Sequence, residues 1–292
     1  MIPFVERRGL WFAISLLIIA LGVVAFLTRG FVLGIDFTGG TILERGLPRS
    51  VSAQEVREAL AKAGMDLGSA VVQPLGDGRE VLIRAHALSN EDIRSIDDAL
   101  RQAYGQVQVR RTELVGPTIG KELVGQSMIA IALACLGVLA YVSVRFQPSQ
   151  GVAAIIALVH DVLVTLSLFL LLGKEINGPI IAALLTIIGY SINNTIVIFD
   201  RIRENLQFSS NRKDLVRLVN ESVQQTLART INTSITTLLV LLALFLFGGT
   251  TIKDFTLALL VGLVAGTYSS IFIAGPLWTA WRLQRDRDLT AA

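Results

Sequence analysis

Six stretches of the 292-residue chain are apolar for long enough to cross a bilayer: roughly 10 to 28, 127 to 146, 152 to 172, 180 to 199, 230 to 247 and 255 to 281. A helix rises about 1.5 Å per residue and the hydrocarbon layer is about 30 Å thick, so about 20 apolar residues suffice for one crossing. The pattern predicts six transmembrane helices. Between the first and second, residues 30–125 lose the unbroken apolar character and are long enough to form a compact domain of their own.

Within that insert, β-branched and aliphatic runs alternate with two helix-like stretches in the order strand, helix, strand, strand, helix, strand, which is ferredoxin-like. The first helix starts at Ser52 with Glu55 three positions on, a capping box, and ends near Gly64. Its apolar face is Val56, Ala59, Leu60 and Ala63. Gly76, Asp77 and Gly78 read as a hairpin turn between strands near Ala70 to Gln73 and Glu80 to Ala85. The second helix begins at Ser89, with Asp92 at its third position, and turns Ile93, Ile96, Ala99 and Leu100 inward. A strand from Val107 to Val115 closes the sheet, and Gly116 and Pro117 predict a short connector before the second span. The expected division is therefore 1–29 for the N-terminal tail and first span, 30–125 for an α+β domain, and 126–292 for the remaining spans.

A charged content of 17% and a mean hydropathy of +0.62 agree with a membrane protein. The net charge of +3 is a matter of topology rather than of nucleic-acid binding. Arg7, Arg8, Arg145, Arg201, Arg203, Arg212, Lys213, Arg217, Arg229, Arg282, Arg285 and Arg287 fall at alternate ends of the spans, and the positive-inside rule makes those ends cytoplasmic. The short opposite loops carry only Lys174 with Glu175 and Lys253 with Asp254. Both termini are thus expected in the cytoplasm and the insert outside it. Residues 200–229 read as a cytoplasmic amphipathic interfacial helix or hairpin, and the first span as an uncleaved anchor. Cys135 lies inside the second span and reads as a packing residue.

No phosphate-binding loop, zinc-spaced His and Cys set, serine nucleophile elbow or dinucleotide fingerprint occurs, so no catalytic residue, metal or cofactor is expected. His86 sits in a strand and receives no role. In the third span His160 stands beside Asp161 at about mid-membrane, where a charged carboxylate costs on the order of 3 kcal/mol; an interhelical hydrogen bond or an ion or proton relay accounts for such a pair. Asn193 and Asn194 form a polar patch in the fourth span, either interhelical glue or part of the same relay. Arg229 opens the fifth span as a membrane anchor or as a partner for Asn194 or a neighbouring carboxylate. Gly262 and Gly266 allow close helix approach, Pro276 predicts a kink, and Gly39 with Gly40 predict a bendable or tightly approached junction.

Four motifs together resemble the SecF family of bacterial export subunits, itself related to RND transporters: Gly34, Asp36, Phe37, Gly39 and Gly40 after the first span; the His160 and Asp161 pair; the run from Gly189 through Asp200, Arg201, Arg203, Glu204 and Asn205; and the run Arg229 to Thr237. The resemblance covers nearly the whole chain. It implies a non-enzymatic subunit of the inner membrane that pairs with SecD, associates with the SecYEG channel and YajC, and contacts lipid and the translocating polypeptide. Such subunits drive or complete export with a proton or sodium gradient; the alternative is a scaffold that stabilises SecD and the channel without ion coupling. The family pattern in the fourth span reads asparagine then aspartate, whereas this chain has Asn194, an amide that cannot titrate.

Overall fold

A computed structural model describes residues 2–65, 70–208 and 214–291. The elements are α1 (Arg8–Arg29), β1 (Gly40–Gly46), α2 (Ala53–Lys62), β2 (Val71–Leu75), β3 (Glu80–Ala85), α3 (Asn90–Tyr104) and β4 (Gln108–Val115). They continue with α4 (Pro117–Arg145), α5 (Pro148–Leu171), α6 (Gly178–Phe208), α7 (Leu215–Phe247), α8 (Thr250–Ser269), a π-helical segment (Ser270–Ala274) and α9 (Gly275–Ala291). Two compact units result, one from Met1–Val32 with Met128–Ala292 and the other from Leu33–Ser127.

In the first unit six helical segments are long and apolar enough to cross a membrane, with α8, the π segment and α9 acting as one. The third, fourth and sixth spans bury about half of their apolar windows inside the chain, while α4 and α7 bury little. The core gathers Phe4 and Val5 from before α1 with Phe146, Ala157, Leu158, Phe199, Ile202, Val219, Val223 and Trp278. Residues 2–7 are therefore part of the packed structure: Val5 N–H donates to Asn220 Oδ1 at 3.0 Å, and Asn220 Nδ2 donates to Glu6 Oε2 at 2.8 Å.

Two expectations about helix ends are corrected. Of the helix or hairpin expected over residues 200–229, the described residues form two helix ends and no single interfacial helix; α6 runs on to Phe208 and α7 begins at Leu215. Ile202, Leu215, Leu218 and Val219 supply the reason, since their stripe is buried in the bundle core and keeps both helices wound beyond the apolar runs. Arg212 and Lys213 lie outside the described residues. Nor does a connector precede the second span, because α4 is helical from Pro117 onward. Proline is compatible with the first helical position, where its missing N–H would have no intrahelical partner.

The unit Leu33–Ser127 carries a four-stranded antiparallel sheet in the order β2-β3-β1-β4. Both capping boxes form, Ser52 with Glu55 and Ser89 with Asp92. The Ser89 hydroxyl and backbone hold the Asp92 carboxyl below its ordinary value of 3.8. A lowered folded value means that this cap adds stability above the ordinary aspartate range and loses it as pH falls through the depressed value. Leu43, Val72, Val81 and Ile83 meet Val56, Leu60, Ile96 and Leu100 in a single core. Ala63, expected on that apolar face, is exposed.

Strand alternation turns Arg45 to the same side as Leu43 and Leu47, and its guanidinium is buried. Its Nε and Nη2 donate to Asp97 of α3 at 2.6 and 3.2 Å, and its Nη1 donates to the Arg111 carbonyl at 2.7 Å. Nothing in the apolar pattern announces this pair. Outside it, Glu113 pairs with Arg111 and holds that guanidinium above its ordinary value. Asp97→Ala leaves the buried guanidinium without its counter-charge, at a cost of about 3–5 kcal/mol. The expected outcome is loss of the protease-resistant domain fragment from membranes carrying the full chain, with resistance regained in the paired replacement Arg45→Met with Asp97→Leu.

Candidate functional site

Asp161 lies in the middle of α5 and its side chain is fully buried. Ser191 of α6 and Ser269 of α8 both donate to Oδ2, at 2.5 and 2.9 Å. His160 Nδ1 stands 2.9 Å from Oδ1, and His160 Nε2 stands 2.8 Å from Ser15 Oγ on α1. With the proton on Nδ1 the imidazole donates to the carboxylate and accepts from Ser15, so one tautomer satisfies both contacts. Four separate helices converge on this carboxyl. Tyr268 stacks on the His160 ring at 6.1 Å between centroids and donates to the Trp11 carbonyl at 2.8 Å.

Small residues bring the helices close enough for these bonds. A Cβ on Gly266 would lie 2.9 Å from Ser191 Cβ, one on Gly262 would collide with Ile187, and one on Gly22 would collide with Ser167. The Gly262 and Gly266 face is thus spent inside the chain, seating α8 on α6, and is not left for a second subunit. Ser269 and Ser270 stand where α8 gives way to the π segment, just before Pro276, which lacks the N–H that a regular helix would use there. Ser270 in turn bonds Thr195 at 3.0 Å.

Three donors favour the ionised carboxylate and burial favours the neutral acid. A change of protonation here therefore has to rearrange hydrogen bonds on several helices, because a protonated oxygen needs an acceptor where it now meets donors. No cluster of three or more metal-ligating side chains exists among the described residues.

The other expected residues are more scattered. Asn194 is buried on α6, while Asn193 is exposed, as about 100° of helical turn per residue requires. Arg229 is exposed and makes no ion pair among the described residues, so the expected contact with Asn194 or a carboxylate is absent; the same turn directs Thr230 inward in its place. Asp200 pairs with Arg145 at 3.6 Å, Arg203 donates to the Arg145 carbonyl, and Arg201 bridges to Gln225 and Glu204. Asn205 donates to Ser222 and Gln225. These five residues tie α6 to α4 and α7 at the arginine-rich end, well apart from Asp161.

Gly34 caps the short turn Ile35–Thr38, and Asp36 and Phe37 lie within that turn half-buried. Gly39 and Gly40 follow with φ of 72° and 140°, and a Cβ on Gly40 would meet the Ala85 carbonyl at 2.7 Å. A Cβ on Gly120 of α4 would likewise meet the Phe37 carbonyl, at 2.9 Å. This motif is a tight backbone crossing in the inserted domain. Ser191 falls within the expected polar run of the fourth span without being singled out, and Ser15, Ser269 and Tyr268 lie outside the expected site; the available signal for the serines was a lone serine within the first apolar run and a serine pair within the last.

Six membrane helices with a hydroxyl-bound carboxyl at their centre and one inserted α+β unit define a class of polytopic membrane protein. Sequence comparison gives it a family. The model of the SecD/SecF C-terminal region of protein export membrane proteins matches residues 95–284, and that of the SecD/SecF GG motif matches residues 24–44. A protein translocase subunit SecF of Desulfurispirillum indicum is 43% identical over 290 residues, covering 96% of this chain and 92% of the relative. The SecF of Vibrio alginolyticus is 40% identical, covering 98% and 91%. Among solved structures, SecDF of Thermus thermophilus, described as a translocon-associated membrane protein, superposes with a TM-score of 0.88 at 39% identity. It covers 96% of this chain, which spans only 38% of the SecDF chain. The chain belongs to the SecD/SecF family of protein export membrane proteins, on the SecF side of it.

Gly266→Val is expected to lower the thermal stability of the detergent-solubilised protein by about 1–3 kcal/mol, the usual cost of overpacking. The same substitution pushes Ser191 from Asp161, so an unchanged melting curve would count against the packing described.

Proposed function

We propose that this chain works as a gradient-coupled SecF subunit in the cytoplasmic membrane, with both termini in the cytoplasm, and that Asp161 is its ion-sensitive group. The observation that carries the reading is a fully buried carboxyl at mid-span whose hydrogen-bond partners come from α5, α6 and α8, with α1 joined through the His160 imidazole. Intramembrane carboxyls are costly, and one wired to several helices is placed to turn protonation into movement. The inserted unit would then act outside the cytoplasm on the emerging polypeptide. Its element order and sheet order support a ferredoxin-like description.

SecD is the expected partner, since the solved relatives named SecDF are more than twice the length of this chain. The little-buried faces of α4 and α7 suit such a neighbour. SecYEG, YajC and the client polypeptide belong to the same reading through the family resemblance. No enzymatic step is included.

A scaffold role without ion coupling is favoured by two observations: Asn194 replaces the titratable residue of the family pattern, and exposed Arg229 makes no ion pair among the described residues. Export into inverted membrane vesicles separates the readings. Under coupling, Asp161→Asn removes the gradient-stimulated part of export and leaves the gradient-independent part, and Asn194→Asp alters the pH dependence. Stimulation that survives both substitutions leaves the scaffold.

A further inference from the structure

Asn194 of α6 and Thr230 of α7 are each at least nine-tenths buried, and Asn194 Nδ2 and Thr230 Oγ1 have no hydrogen-bond partner among the described residues. The other threonines of that stretch of α7 behave differently. Thr226, Thr233, Thr236 and Thr237 all donate back to carbonyls of their own helix, three or four residues earlier. Thr230 alone among these five does not, so its hydroxyl is left to face something else.

The cross-links on either side show what it faces. Tyr190 Oη of α6 meets the Thr233 carbonyl and the Thr237 hydroxyl of α7, at 3.1 and 3.2 Å. Further along, Arg201 donates to Gln225 at 2.7 Å. Asn194 is four residues past Tyr190 and seven before Arg201, which puts all three within a stripe of about 40° on the face of α6 toward α7. Thr230 is seven residues, about 20° of helical turn, from Thr237; Gln225, five residues away, stands about 140° round α7, and its bond to Arg201 fixes only the height of that pair along the helices. At about 1.5 Å of rise per residue in two antiparallel helices, Asn194 and Thr230 occupy one rung between these two bonded pairs.

A buried amide donor and a buried hydroxyl on the same rung, each unmatched among the described residues, are the surroundings that hold an internal water. We infer that Asn194 and Thr230 bind a resident water between α6 and α7. It accepts from the Asn194 amide and exchanges a hydrogen bond with the Thr230 hydroxyl. A water there also carries what the amide cannot: it can accept and pass a proton on the arginine-rich side of Asp161, one turn of α6 beyond Ser191. The transport role of this water rests on the proposed relay at Asp161; its presence does not.

Water-edited solid-state NMR on the full chain in lipid bilayers, with asparagine labelled in ¹⁵N, tests the site directly. The Asn194 side-chain signal is identified by its loss in Asn194→Asp, and buried Asn220, whose Nδ2 is satisfied by Glu6, is the internal control. Magnetisation from water is expected to reach the Asn194 amide several-fold faster than the Asn220 amide, to slow to the Asn220 rate in Thr230→Val, and to stay fast in Thr230→Ser. Equal rates at Asn194 and Asn220 in the unmodified protein overturn the site, whatever export does. Fast transfer together with normal gradient-driven export in Thr230→Val and Asp161→Asn keeps the water and removes the relay. Fast transfer with export lost in both variants supports the two together.

Discussion

A polar atom within the hydrocarbon layer has no solvent to fall back on, and its partner has to be built into the protein. Asp161 is where that constraint bears hardest here. Its two oxygens collect Ser191, Ser269 and His160, and Ser15 completes the imidazole. The glycines at 22, 262 and 266 follow from the same need, since hydroxyls at hydrogen-bond distance require backbones closer than larger residues allow. The bundle's packing and its polar centre are therefore one design: the helices that bury the carboxyl are those that solvate it.

The outline of the fold was legible because it rests on periodicity. Unbroken apolar runs mark the spans, and alternating runs with Ser52 and Ser89 as caps mark the inserted unit. Helix ends were less legible, since α6 and α7 extend past their apolar runs on the strength of Ile202, Leu215 and Val219, whose burial depends on neighbours distant in sequence. Arg45 reads as one more charge on a strand until Asp97 is brought opposite it by α3.

The site was legible in its centre and illegible in its ligands. A carboxylate at mid-span is conspicuous because it violates the membrane pattern. Serines do not violate it, being common in spans, and so Ser15 and Ser269 gave only a faint signal and Ser191 only that of the polar run around it. The pairs Asn193 with Asn194 and Arg229 with Thr230 make a related point. Adjacent residues on a helix point about 100° apart, so a polar dipeptide offers only one member to a given neighbour, and that member is chosen by packing. Asn194 and Thr230 are turned inward while Asn193 and Arg229 face out, which reverses the weight a reading of side-chain charge would assign.

The π segment extends this reasoning from position to motion. A π turn carries one more residue than the α-helix it interrupts, and here it begins at Ser270, directly after the residue that holds Asp161. Pro276 withholds the N–H that would otherwise draw the preceding turn into regular register. The last span is thus already relaxed at the point where a change on Asp161 would reach it through Ser269. Phe272, inside that segment, touches Trp11 at 4.5 Å and Phe4 at 5.7 Å between ring centroids. Loss or gain of the Ser269 bond consequently bears on a helix segment that already departs from α-helical register and that packs on α5 and α6 as well as on the N-terminal turn and α1. A carboxyl bound only to unbroken helices would lack that freedom, which makes the pairing of Asp161 with a π turn the feature that best fits a moving part.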